Sequence, residues 1–170
     1  MKIRIIGAPG SGKSTLAAKL SKKYGIPHFD LDDIQWENSS GSYGIKTPPE
    51  RRTELLNEIL SLDDWIIEGV YYAWCQSTFE QADRTILLDV PKSTCKRRII
   101  MRFIKRRLGL EKGRNETFKS LRALLKWTDK FYLDNMKEIE RIFVEYSIKT
   151  CRGLDEILNA KGLHKCKQHK

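Results

Sequence analysis

Nine residues, GAPGSGKST from Gly7 to Thr15, restrict what this chain can fold into more than any other stretch. They lie between a strand-like run, Lys2-Ile3-Arg4-Ile5-Ile6, and an apolar-periodic stretch carrying Leu16, Leu20 and Tyr24. The nine match G-x-x-x-x-G-K-[ST] with Gly7, Gly12, Lys13 and Ser14 at the fixed places. Glycines there let successive backbone N–H groups turn inward on a phosphate at the positive end of a helix, where a Cβ would obstruct them. Gly7, Pro9, Gly10, Ser11, Gly12, Lys13, Ser14 and Thr15 are therefore expected to form a phosphate-binding loop. Lys13 would reach the β- and γ-phosphates of a nucleotide, and the Ser14 hydroxyl is placed to ligate Mg²⁺.

At 170 residues the chain suits one domain with a substantial core. No run of about 18 apolar residues exists to span a bilayer, and the N-terminus enters a strand directly instead of a signal peptide. The expectation is a soluble, cytoplasmic protein with no membrane partner. Cys75, Cys95, Cys151 and Cys166 are scattered without a C-x-x-C pair, which indicates free thiols, not a disulfide framework or a zinc site.

The formal charge of +10 is unevenly spread. Residues 91 to 114 hold ten Lys/Arg against the single acid Glu111, and the last ten residues hold four lysines and no acid, so everything else together is net negative. A segment this basic calls for phosphate oxygens, a nucleotide's or a nucleic acid's. In the tail, His164, Cys166 and His169 read as part of a frayed basic terminus.

Along the chain, Gly25-Ile26-Pro27 stops the first helix and Pro27-His28-Phe29-Asp30 reads as a second strand. Asp30, Asp32 and Asp33 follow where that strand emerges, the end at which open parallel sheets bind ligands. One of these acids can hold metal-bound water and another can take a proton from a substrate hydroxyl; helix capping is the competing use. Residues 36 to 49 read as a loop-like insertion. The next helix begins at Pro49, where Arg51 and Arg52 either clamp an anionic substrate or face solvent. Trp65-Ile66-Ile67-Glu68-Gly69 reads as a buried strand that delivers Glu68 beside the phosphate loop, where it can orient Mg²⁺ through water. Residues 71 to 82 are expected to be a short connection, and Thr85 to Val90 another buried strand closed by Pro91. A helix over 93–107 carries Ile99, Ile100, Phe103 and Ile104 on one side and Arg98, Arg102 and Arg106 at i, i+4 and i+8 on another, an arrangement suited to an anion between them. Residues 108 to 116 read as a flexible hinge or lid. A long helical region from Thr117 to about Tyr146 should break near Asp134-Asn135, and a fifth strand (Tyr146 to Thr150) and a final helix (Leu154 to Ala160) follow.

The spacing thus gives a five-strand α/β chain with a phosphate loop. The sequence also resembles the adenylate-kinase-like small P-loop kinases over nearly its whole length. GAPGSGKST has the form of the adenylate kinase loop, and Val90-Pro91 followed by Arg98-Ile99-Ile100-Met101-Arg102 is similar to that family's lid-helix pattern. The resemblance implies a three-layer P-loop NTPase fold with a five-stranded parallel sheet, of the adenylate and shikimate kinase type. It implies one kinase domain over 1–170, with an acceptor-side insertion at about 33–60 and a short lid at about 106–117. It further implies ATP as donor, Arg98 stacked on the adenine, Arg102 stabilising the transferring phosphate, and Thr150, Cys151 and Arg152 in the adenine-binding loop.

On the acceptor side, Glu68-Gly69 resembles the start of the D-G-F-P-R signature, but Val70-Tyr71-Tyr72 replaces its phenylalanine, proline and phosphate-gripping arginine. Asp30-Leu31-Asp32 resembles the D-x-D of shikimate- and gluconate-type kinases, with the first acid near the metal and the second on the acceptor hydroxyl. The implied activity is ATP- and Mg²⁺-dependent phosphoryl transfer to a small-molecule hydroxyl or nucleotide. Lys13, Arg102 and Asp32 would be catalytic, Ser14, Asp30 and Glu68 would hold metal, and Asp30, Asp32, Arg51, Glu68 and Gly69 would bind the acceptor. Uncharacterised bacterial proteins labelled topology modulation proteins share the W-I-I-[DE]-G strand. Their label suggests the alternative, a nucleotide-regulated DNA-binding protein, although no nucleic-acid reader motif is visible.

Overall fold

The computed structural model describes residues 1–37, 45–111 and 117–145. Its sheet is built from β1 (Lys2–Gly7), β2 (His28–Asp30), β3 (Trp65–Gly69) and β4 (Arg84–Leu88), all parallel and in the order β2-β3-β1-β4. β3 is buried throughout and β1 from Ile3 onward, as strands covered on both faces must be, and this accounts for their nearly unbroken apolar sequence. The expected fifth strand, Tyr146 to Thr150, and the final helix fall outside the described residues, and with them the adenine-loop residues Thr150 and Arg152.

Because side chains alternate across a strand, the register sorts them into two layers. Ile3, Ile5, Ile66 and Ile86 turn to one face, where they meet Leu16, Ala17 and Leu20 of α1 (Lys13–Tyr24). Ile6, Trp65, Ile67 and Leu87 turn to the other. There they pack with α2 (Leu31–Gln35), α3 (Pro49–Leu60), α4 (Ser77–Gln81) and the C-terminal helices, through Leu31, Leu56, Phe79, Phe131 and Phe143. The result is the helix–sheet–helix layering expected of an α/β chain.

Local chemistry sets the boundaries. Gly25 ends α1 in a left-handed conformation, its N–H bonded to Ser21 O. Pro49 opens α3 at its first position, where no N–H is needed. α5 (Lys92–Arg107) starts immediately after Pro91. α6 (Phe118–Lys130) opens with a capping box between Thr117 and Ser120, and a π-helical turn at Phe131–Asn135 separates it from α7 (Met136–Glu145). That turn lies at the expected break. Two short helices were not anticipated: α2, directly after β2, and α4, inside the expected 71–82 connection. Among the described residues, no helix is long and apolar enough to cross a membrane.

Candidate functional site

The site begins where β1 runs out. Gly10 and Gly12 both adopt positive φ, 75° and 103°, so the chain coils back between β1 and α1 as inward-facing amides require. A Cβ on Gly10 would stand 2.6 Å from Cys95 O in the first turn of α5, so the loop is pressed against that helix as well as curled. Arg98, one turn further along α5, donates from Nη1 to Ser11 O at 2.9 Å and Gly10 O at 3.4 Å, fastening the loop from its carbonyl side. That is where the expected base-stacking arginine lies. Arg102, half-buried, follows on the same face.

Lys13 is almost wholly buried, and its Nζ donates to Ala8 O at 3.1 Å. Burial pulls its pKa down, while Glu68, Asp30 and Asp32 act to keep it charged. The Ser11 hydroxyl is buried in the loop without a hydrogen-bond partner. An ammonium on a single carbonyl and an orphaned buried hydroxyl, both beside turned-in amides, are the signature of a cradle that fits a phosphate chain.

The carboxylates arrive by register. Ile5, Glu68 and Asp30 are cross-strand partners, so Glu68 and Asp30 sit side by side on the α1 face at the carboxyl ends of their strands. Glu68 Oε1 accepts a hydrogen bond from Ser14 Oγ at 2.5 Å. Ser14, Asp30 and Glu68 line one cleft of about 350 Å³, together with Phe29, Asp33 and Glu58. Burial, then Glu68 and Asp32, push the Asp30 carboxyl up to about 7. Crowded acids beside a serine hydroxyl fit a divalent cation. Among the described residues no cluster of three metal-ligating side chains forms. Mg²⁺ is a cation that one or two carboxylates can bind, with water and phosphate oxygens completing the shell. Asp30 also caps α2, accepting from Asp32 N at 2.8 Å, so capping and cleft lining coexist in one residue.

Asp32 does not line this cleft, though its charge acts on both Lys13 and Asp30. Its Oδ1 accepts from Tyr71 OH at 2.7 Å, and the Tyr71 hydroxyl also meets the Trp36 indole. Burial and the neighbouring Asp32 raise the Tyr71 pKa, so it remains a donor. Gly69, at φ 155°, passes so close to α2 that a Cβ there would lie 2.9 Å from Leu31 Cβ. Arg51 is not brought to the cleft: it is exposed and pairs with Glu54 on its own helix at 3.0 Å. Its neighbour Arg52 turns inward instead, bonding Gln35 Oε1 at 2.8 Å with its guanidinium 5.2 Å from the Trp74 ring centroid.

Sequence reasoning missed Arg4. Arg4 in β1 is fully buried on the face away from α1, and burial lowers its pKa. It donates to Ile5 O and Tyr71 O at 2.7 Å and to Ile67 O and Gly69 O at 3.3 Å. It therefore holds the turn after β3 that presents Glu68 on one side and Tyr71 on the other. A lone cation inside an apolar strand was the available signal. Elsewhere the basic helix is partly engaged: Lys96 bonds Asp129 at 2.7 Å and Arg106 approaches Glu111 at 3.7 Å.

The family model described as "AAA domain" matches residues 3–119. The chain is 33% identical over 116 positions to an adenylate kinase of Clostridium botulinum, covering 54% of each protein. It is 32% identical over 90 positions to the uncharacterized protein YqaC of Bacillus subtilis, covering 53% of this chain and 49% of that one. The chain thus spans about half the length of the curated relatives it matches. A solved shikimate kinase from Bacteroides thetaiotaomicron aligns with a TM-score of 0.46 at 20% identity, over 78% of this chain and 81% of the other.

Proposed function

The chain belongs to the AAA domain family, and from that premise we propose that it is an ATP- and Mg²⁺-dependent phosphotransferase that moves the γ-phosphoryl group to a small-molecule hydroxyl. The observation that carries the proposal is the meeting of Ser14, Glu68 and Asp30 in one cleft directly beside a curled loop holding a buried Lys13. We propose further that residues 1–170 form one kinase domain, with 33–60 on the acceptor side and 106–117 as lid.

In this reading the loop amides and Lys13 hold the phosphate chain of the donor. Ser14, Asp30 and Glu68 would hold Mg²⁺, which when bound neutralises phosphate oxygens. Asp32, oriented through its Oδ1 by Tyr71, takes the proton of the acceptor hydroxyl. Arg102 stabilises charge on the moving phosphoryl group, and Arg98 fixes the loop while flanking the base. Positioning and charge stabilisation supply most of the rate, since little covalent work is asked of the protein.

The test is acceptor-dependent ADP formation from ATP and Mg²⁺ across nucleosides, nucleotides, sugars and hydroxy acids. Lys13→Ala should abolish it, and Arg102→Ala should lower kcat by about 10²-fold or more with a smaller effect on ATP affinity. Two variants that turn over like wild type would overturn these roles.

A further inference from the structure

We infer that the outer face of α5 docks this protein on an anionic lipid surface, with an aliphatic stripe set among the headgroups and the flanking cations on lipid phosphates. The inference goes beyond the phosphotransferase reading and does not depend on it.

A helix at the edge of a core ordinarily carries one apolar stripe, turned inward. α5 carries two. Cys95, Ile99 and Phe103 are buried and form the inner one. Ile100, Met101, Ile104 and Leu108 fall on the opposite side of the helix, since each residue advances about 100° around the axis. Leu110 and Phe118 add to this outer set: Leu110 N–H bonds Lys105 O across the end of α5, and the Phe118 ring lies 5.0 Å from that of Phe103. Exposure across these six runs from 39% at Ile100 to 74% at Leu110. Single exposed aliphatics are ordinary, but a contiguous set of them on one helix marks a surface that is covered in use.

Charge says what covers it. Arg97 stands at the head of the outer stripe, and Lys105 and Arg107 border it on either side. Among the described residues no ion pair involves Arg97 or Lys105, whereas Asp129 and Glu111 pair with cations of the opposite side, Lys92, Lys96 and Arg106. A second copy of this chain would bring two cationic faces together and be repelled. The rest of the chain suits the stripe no better: residues 112–116, Lys-Gly-Arg-Asn-Glu, hold no apolar side chain, and residues 146–170 carry six Lys/Arg against Asp155 and Glu156. A nucleic acid would satisfy the cations but not the aliphatics, because base stacking uses aromatic rings. An anionic bilayer surface satisfies both, its acyl boundary taking the aliphatic side chains and its phosphates taking Arg97, Lys105 and Arg107. α5 then lies in the plane of the interface, while Arg98 stays on the phosphate loop.

The test is co-sedimentation of the full chain with sucrose-loaded vesicles, either of phosphatidylcholine alone or of phosphatidylcholine and phosphatidylglycerol in equal amounts. Wild type should partition onto the mixed vesicles at least about 10-fold more strongly than onto phosphatidylcholine. Two double variants separate the contributions: Arg97→Gln with Lys105→Gln removes charge, and Met101→Ser with Ile104→Ser removes the middle of the stripe. Each should lower binding to the mixed vesicles by about 10-fold while keeping the wild-type far-UV circular dichroism spectrum, which certifies the fold. Wild-type binding that is absent, or equal on the two lipids, overturns the inference. So does either double variant binding like wild type; if the serine variant does, the surface is cationic only and would hold a nucleic acid's phosphates as readily as a lipid's. Self-association without lipid that the serine variant abolishes would assign the stripe to a second copy of the chain and overturn it as well.

Discussion

Asp30 is the residue at which the site's electrostatics are most exposed to experiment. Its carboxyl is raised to about 7 in the folded protein from an ordinary 3.8, with burial the first cause and Glu68 the second. A raised folded value contributes stability that is complete below about 3.8 and is lost as pH climbs through about 7. Asp30→Asn keeps an oxygen to cap α2 and removes the charge, so in the ligand-free protein it should raise Tm by several degrees at pH 8 and by less at pH 5. Equal shifts at the two pH values would show that Asp30 is not strained by its neighbours. Arg4 supplies the opposite case, a buried cation whose two terminal nitrogens are held by carbonyls. Arg4→Met removes a donor from Gly69 O and leaves Tyr71 O only the weak Cys75 thiol, and should cost about 3–5 kcal/mol in urea unfolding; a loss under about 1 kcal/mol would mean the turn holds itself. The contrast marks what sequence could reach. Asp30 and Glu68 were legible because strand ends in parallel sheets are where ligands bind. Tyr71 on Asp32 was not, because a contact across 39 residues depends on how the turn after β3 folds back.

At the scale of elements, the loop and α5 are one device. α5 presses its first turn on Gly10 and ties the loop with Arg98. Gly10→Ala adds a methyl where φ is 75° and Cys95 O lies 2.6 Å away, so it should weaken ATP binding by more than about 10-fold and destabilise by about 2 kcal/mol or more. Gly109→Ala is the control, since φ is similar at 69° but nothing lies within 4 Å of the new Cβ. It should cost only about 1 kcal/mol and leave ATP binding intact. If the two variants weakened binding equally, the contact between loop and α5 would be irrelevant. Long periodic elements such as α1, α3 and α5 could be read from sequence because apolar spacing and proline or glycine stops agree. The five-residue α2 and α4 could not: one turn of helix carries too little periodicity to separate it from a capped loop. β4 closes at Leu88, two residues before the expected end, because the chain turns ahead of Pro91, with Val90 N bonded to Leu88 O.

For the molecule as a whole, the sheet order puts β1 between β3 and β4, with the connection to β2 crossing over β3. The phosphate loop after β1 and the acids at the ends of β2 and β3 thereby meet at the carboxyl end of the sheet. The α/β class followed from the phosphate loop and from the alternation of strand-like and helical stretches along the chain. The inward turn of Arg52 and the outward turn of Arg51 did not, because adjacent helix positions differ by about 100° and only packing says which faces the core. The most direct measurement is equilibrium binding of ATP with Mg²⁺ to wild type and to Lys13→Ala, followed by calorimetry. Wild type should bind, dependent on Mg²⁺, and the variant should lose about 100-fold or more in affinity. Equal affinity in the two proteins, or a wild type that binds no ATP, would contradict this reading.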